Sequence, residues 1–192
     1  MVYPITAHCM KHQHDEDGGF VVEATTIQDP IAFASTLRDR RGPLWGPRLV
    51  EAVRAFRHWN GVIAMVNDEN NAAVIVEGGR ERFEVDFQPS ELERIDAAFR
   101  FSREVLEAAG ATQVCWTGLT STHTQGGCRM GDDPERSVVD RNCESHDVKR
   151  LFVGDGSLVP RTLSVNPSLT IMALATRLAE HLEVDESGYL GS

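Results

Sequence analysis

From Gly118 to about Ser137 the chain is built mainly of Gly, Thr and polar residues, with no apolar period that a helix or strand could use. Such a stretch folds as loop, and connecting loops held by regular elements are where binding and catalytic groups concentrate. The segments on either side are patterned for regular structure, so the expected molecule is a scaffold that presents this loop.

Ahead of the loop the patterning is mixed. Residues 20 to 27 (FVVEATTI) are rich in β-branched side chains and follow Asp17-Gly18-Gly19, which predicts a strand entered through a tight turn. Between Pro47 and Trp59, Leu49, Val50, Val53, Phe56 and Trp59 share a helical face. Residues 62–66 and 73–76 read as strands, and the polar segment NDENNA between them reads as a hairpin connection. Phe83, Val85 and Phe87 alternate with charged residues as a half-exposed strand ending at Pro89. Ser90 opens SELE, a capping-box pattern, ahead of a helix from about Glu91 to Ala109 stopped by Gly110. Antiparallel strands mixed with helices predict an α+β fold rather than a complete doubly wound sheet.

After the loop, residues 151–153 read as a short buried strand closing on Gly154-Asp155-Gly156. A helix is expected from Pro167, at the favoured first-turn position, to about Glu183, and its Ala residues suit close packing. Residues from 185 onward read as a flexible tail.

Composition removes several function classes. A formal net charge of -10 argues against nucleic acid as the main partner, since that binding draws on neutralising phosphates with Lys and Arg. The four cysteines, Cys9, Cys115, Cys128 and Cys143, contain no CxxC pair, so neither a disulfide framework nor a zinc ribbon is indicated. There is no apolar run long enough to span a bilayer and no signal-peptide pattern at the start, and the expectation is a soluble, cytoplasmic protein.

The densest chemical signal runs in four pieces: HTQGGCRMG at 123–131, SVVD at 137–140, FVGDGS at 152–157 and VNPSLTIMALA at 165–175. In this order and spacing they resemble the C-terminal signature of the glucose-methanol-choline oxidoreductases. The resemblance covers about residues 120 to 183; residues 1–119 resemble the family's substrate domain only loosely, in strand and helix order. It implies an antiparallel-sheet substrate domain over 1–119, a catalytic and flavin-contacting region over 120–184, and FAD as cofactor. The implied activity is oxidation of a small-molecule alcohol to a carbonyl by hydride transfer to flavin.

By position, the resemblance places His123 and Asn166 toward the flavin. The residue chemistry agrees with these roles. Hydride loss from an alcohol carbon is easier as its hydroxyl gives up a proton, and a histidine can accept that proton near neutral pH. Asn166 can donate a hydrogen bond to the same oxygen as it gains charge. A helix starting at Pro167 would present free amides and its positive dipole end near Asn166, Pro167 and Ser168, a suitable partner for charge on the flavin. Asp155 and Gly156 are implied to lie against the cofactor's ribityl-pyrophosphate chain, where a glycine lets backbone come close.

Blander roles stand beside these. His123 alone would be an ordinary loop residue, and Asn166-Pro167 alone an ordinary helix-start dipeptide. Cys128 reads as a packing residue rather than a thiol nucleophile, Arg129 as an ion-pair anchor and Asp140 as a turn former. A hydrolase using Cys128 or Ser157 with His123 would lack the GxSxG elbow. His8, Cys9, His12 and His14 have metal-ligand chemistry, but their spacing fits no standard site. Trp45 and Trp59 are expected near the substrate pocket.

Complete family members open with a βαβ unit bearing GxGxxG, and Gly18-Gly19, Gly78-Gly79 and Gly126-Gly127 do not follow that pattern. The Rossmann part is thus expected to be absent, and the chain to be a fragment or split product. It should then self-associate or depend on an N-terminal FAD-binding polypeptide. The alternative is a non-catalytic fragment or subunit that completes the fold of such a partner.

Overall fold

The computed structural model describes residues 8–14, 19–25, 29–39, 42–69 and 71–184. The expected turn at 17–19 lies partly outside them, as do the acidic residues 15–17, and the expected tail at 185–192 lies wholly outside. In chain order the elements are β1 (His8–Cys9), β2 (Phe20–Thr25), α1 (Pro30–Thr36), β3 (Arg38–Asp39), β4 (Gly42–Pro43), α2 (Pro47–Arg54), β5 (Gly61–Val66), β6 (Ala72–Glu77), β7 (Arg80–Val85), α3 (Pro89–Ala108) and α4 (Ser168–Val184). They form two compact units, one of residues 1–67 and 87–120, the other of 68–86 and 121–192. Mixed helix and antiparallel sheet is the architecture expected.

In the first unit an antiparallel sheet of order β1-β2-β5 pairs Phe20 with Val66 and Thr25 with Gly61. Its apolar face packs on α3, where Phe20, Val22 and Ala98 are buried together with Phe101 at their edge. A second cluster of Phe33, Leu37, Leu44 and Ala52 joins α1 to α2, with Phe56, Trp59 and Cys115 packed against it. Burial there pushes the Cys115 thiol pKa up, because the thiolate loses water. Helix α1 was not expected from the sequence. Its start is set by Asp29, whose carboxylate accepts from the Ile31 amide at 2.7 Å, and by Pro30 in the first turn.

Three expectations about elements are corrected. The segment 62–66 pairs with β2, and 73–76 pairs with 80–85 instead of with 62–66. Gly78 and Gly79 supply the reason: both take positive φ, 57° and 76°, and close a two-residue hairpin loop that the polar NDENNA segment does not provide. Helix α3 begins earlier than Ser90. Its cap is Gln88, whose amide donates to the Glu91 carboxylate at 2.7 Å, with Pro89 in the first turn. Residues 151–153 form no strand; Phe152 makes a single antiparallel bridge to Glu144.

The remaining boundaries move little. The 47–59 helix ends at Arg54 and continues as a 3-10 turn over Phe56–His58. Helix α4 starts at Ser168, and Pro167 sits just before it, its carbonyl accepting from the Ile171 amide at 2.9 Å. The second unit is centred on Val139, Cys143 and Leu158, each with no exposed surface, with Met130, Val153, Leu174 and Leu178 packed around them. In this way α4 supports the loops that carry the motifs.

Candidate functional site

The motif loop is held by a ladder on two sides. The amides of Cys128 and Met130 donate to the carbonyls of Ser157 and Leu158 at 3.1 and 3.0 Å. On the other side Gly131 N donates to Val139 O and Val138 N to Arg129 O, each at 3.0 Å. Segment 128–131 therefore lies between 157–158 and 138–139, and three of the four motif pieces are backbone neighbours. Asp140 ends the second piece as expected, its Oδ1 accepting from the amides of Asn142 and Glu144 at 2.8 and 3.0 Å. That turn lets Cys143 take φ 67° and places it in the core.

The fourth piece joins at Gly156. A Cβ there would meet Ile171 Cδ1 at 3.1 Å and the Thr124 carbonyl oxygen at 3.3 Å. The residue after His123 and the first turn of α4 thus close on the same glycine. Beside it the Asp155 carboxylate accepts from Ser157 Oγ at 2.5 Å and from Ser157 N at 2.8 Å. These bonds, the hydroxyl first, hold the Asp155 pKa below the usual carboxylate range.

His123 is exposed, and its carbonyl accepts from Gln125 Nε2 at 3.2 Å. Asn166 and Ser168 are exposed at the start of α4, whereas Pro167 is buried beneath them. Val165, Leu169 and Met172 leave 41%, 75% and 58% of their surfaces exposed, so apolar side chains flank the helix start. The site combines an exposed histidine, a helix N-terminus with first-turn amides and a carboxamide, and an uncovered apolar rim.

Most other residues singled out from the sequence have structural roles. Cys128 is half-buried, with its amide in the ladder. Arg129 contributes through its carbonyl to the ladder. The Ser157 hydroxyl donates to Asp155. His8 pairs with Glu23 at 3.2 Å, Cys9 packs beside Phe20, and His12 stacks on Phe20 with ring centroids 4.9 Å apart. Trp59 packs against Phe33 in the first unit, and Trp45 is exposed. Two polar residues not singled out, Ser137 within SVVD and His146, meet near Gly131 across a long loop, where no local spacing signals the encounter.

A family model described as GMC oxidoreductase matches residues 62–175. The chain is 30% identical over 175 residues to long-chain-alcohol oxidase FAO4B of Arabidopsis thaliana, covering 90% of this chain and 21% of that protein. It is 30% identical to the fructose dehydrogenase large subunit of Gluconobacter japonicus, covering 85% of this chain and 34% of that one. Among solved structures, pyridoxine 4-oxidase from Mesorbium loti superposes with a TM-score of 0.54 at 20% identity, over 85% of this chain and 34% of that one, a likeness of fold. The chain thus spans between a fifth and about a third of the length of these proteins.

Proposed function

The chain belongs to the GMC oxidoreductase family, and from that premise we propose that it is the catalytic C-terminal part of an FAD-dependent alcohol oxidoreductase. The observation that carries the reading is the meeting at Gly156 of Thr124, next to His123, with Ile171, in the first turn after Asn166-Pro167-Ser168.

The helix start suits the cofactor. The amides of Ser168 to Thr170 precede the first helical bond, made by Ile171, so they and the positive dipole end are free of intrahelical partners. An anionic ring edge would be held there, with Leu169 and Met172 offering apolar contact. The Asp155-Gly156 backbone would lie along the cofactor's ribityl-pyrophosphate chain. When bound, FAD would supply the hydride acceptor.

The chain's own residues do the rest. His123 takes the proton of the substrate hydroxyl, which raises the electron density on the carbon that must lose hydride. Asn166 donates to the same oxygen, and that bond strengthens as negative charge grows, so it favours the transition state over the bound alcohol. The substrate is a small-molecule alcohol. The remaining nucleotide-binding residues would be supplied by an N-terminal FAD-binding segment, on the same or on another polypeptide.

Titration of FAD into the purified chain, followed by quenching of flavin fluorescence, tests this reading. The expected result is no saturable binding by the chain alone and recovery when a GxGxxG-bearing family polypeptide is supplied. Tight binding by the chain alone would show that these residues rebuild the nucleotide site themselves. Recovery of binding without flavin reduction by any alcohol would leave a subunit that only completes its partner's fold.

A further inference from the structure

We infer that His146 is a positioning residue: its imidazole, carrying the proton on Nε2, locks the end of the 123–131 loop and so sets where His123 is presented. The inference rests on the reading of His123 as the base.

The geometry is a proton inventory. His146 Nε2 lies 3.0 Å from Ser137 Oγ and 3.1 Å from the Gly131 carbonyl oxygen. Ser137 Oγ lies 3.0 Å from the same carbonyl and 2.5 Å from that of Asp133. Carbonyls only accept, and a serine hydroxyl has one proton to give. The shortest contact, to Asp133 O, takes it. Gly131 O and Ser137 Oγ then both face Nε2, and the pair is satisfied only if Nε2 bears hydrogen. With Nε2 bare, Ser137 would have to turn its proton to the ring. The contact with Asp133 O and the one between Nε2 and Gly131 O would then each set lone pair against lone pair.

The ring can act as a lock because its own backbone is fixed. The His146 amide donates to Val138 O at 3.1 Å, so the imidazole reaches from segment 138–139 across to Gly131. Gly131 also touches Ser137 closely; a Cβ on it would lie 3.0 Å from Ser137 Cβ. Holding Gly131 fixes the register in which Cys128 and Met130 bond Ser157 and Leu158. Toward the other end of the loop, Gly126 takes φ 81° and runs close to Val159 O. Thr124 then closes on Gly156, and His123 follows. The same inventory excludes Ser137 and His146 as a nucleophile and base pair, because the hydroxyl proton is committed to Asp133 O and Nε2 is a donor.

Ring 15N NMR of the full chain reads the tautomer directly. The expected spectrum shows the His146 proton on Nε2; a neutral ring protonated on Nδ1 would overturn the inference. In His146→Phe, amide exchange at Cys128, Met130 and Gly131 should rise by up to about tenfold, the worth of one part-buried acceptor left unmet, with exchange in β2 and β5 unchanged. His146→Gln, which keeps a donor at similar reach, should restore slow exchange. Acceleration spread evenly over both units, or no rescue by glutamine, would overturn the lock. If the phenylalanine variant does not fold, His146→Gln and the wild-type tautomer still test it: a ring protonated on Nδ1, or fast exchange at Met130 in the glutamine variant, would overturn it. None of these readouts needs flavin, so failure of the FAD titration would remove the proposed activity and leave the lock standing.

Discussion

The Thr124 carbonyl oxygen lies 3.3 Å from where a Cβ on Gly156 would stand, and Ile171 Cδ1 lies 3.1 Å from it on the helix side. Gly156 does not take a positive φ, so packing alone governs what may replace it. In Gly156→Ala two effects compete. Alanine narrows the unfolded ensemble, a gain of about 0.4–1 kcal/mol, whereas overpacking costs about 1–3 kcal/mol. The Ile171 methyl can turn away but the Thr124 backbone cannot do so freely, so the cost should prevail. A urea melt should show net destabilisation; an alanine variant as stable as the parent would mean that the Thr124 segment yields.

Leu158 sits at the centre of the second unit with no exposed surface, against Val139 and Cys143. Leu158→Ala removes buried methyl groups and leaves a cavity between the ladder and α4, at a cost of about 2–5 kcal/mol. Hydrogen exchange at Met130, whose amide bonds Leu158 O, should report the loss first. Protection at Met130 equal to the parent's would place the load elsewhere.

Much of the second unit was legible because its signals are local. The order of motif pieces, the Asp140 turn and α4 each announce themselves within a few residues. What local spacing leaves open is chiefly which elements meet. Periodicity marks 62–66 and 73–76 as strands but not their partners, which are β2 and β7. The two-glycine loop at 78–79 decides the pairing, because both residues take the positive φ that a tight hairpin needs. Helix α1 is short and its apolar face is one buried phenylalanine, Phe33, too little for a periodic signal. Ser137, His146 and Gly131 are brought together by the Asp140 turn, so their contact follows from the fold and is invisible in spacing.

Asp155 gives a pH signature. Its pKa is held below the usual range by Ser157, so ionisation in the folded state is favoured relative to the unfolded chain. The contribution is present above the ordinary carboxylate pKa and is lost as pH falls through the lower folded value. The group is exposed, so only a few tenths of a kcal/mol are expected after solvent screening. Asp155→Ala should be slightly less stable than the parent at pH 7, and the gap should close in strong acid. A gap constant across that range would mean that the carboxylate charge plays no part.

The β6–β7 hairpin presents Val74, Val76, Phe83 and Val85 on one face, with Val74 paired to Phe83 and Val85 to Ala72. These side chains are 61%, 66%, 76% and 54% exposed, an apolar strip of the kind that drives association. Phe83→Lys should lower concentration-dependent self-association of the isolated chain in sedimentation velocity. Unchanged association would shift attention to the rim at Leu169 and Met172.

His123 offers the sharpest test of mechanism, because it is exposed and its replacement threatens no core. Its known internal tie is the backbone bond from Gln125 Nε2, which any residue at 123 can accept. His123→Ala should therefore melt as the parent does, separating chemistry from folding. In a flavin-loaded enzyme assembled as proposed, with an FAD-binding segment supplied, stopped-flow reduction by an alcohol should slow by ~10²-fold or more, the usual worth of a positioned base. FAD affinity should hardly move, since the cofactor is assigned to Asn166, Pro167, Ser168 and the 155–156 backbone. Asn166→Ala should differ, weakening cofactor binding and slowing reduction together, because Asn166 is assigned both to the helix start and to the substrate oxygen. A His123 variant with parental reduction rates would remove it as the base; one that lost FAD as well would relocate its role to the cofactor.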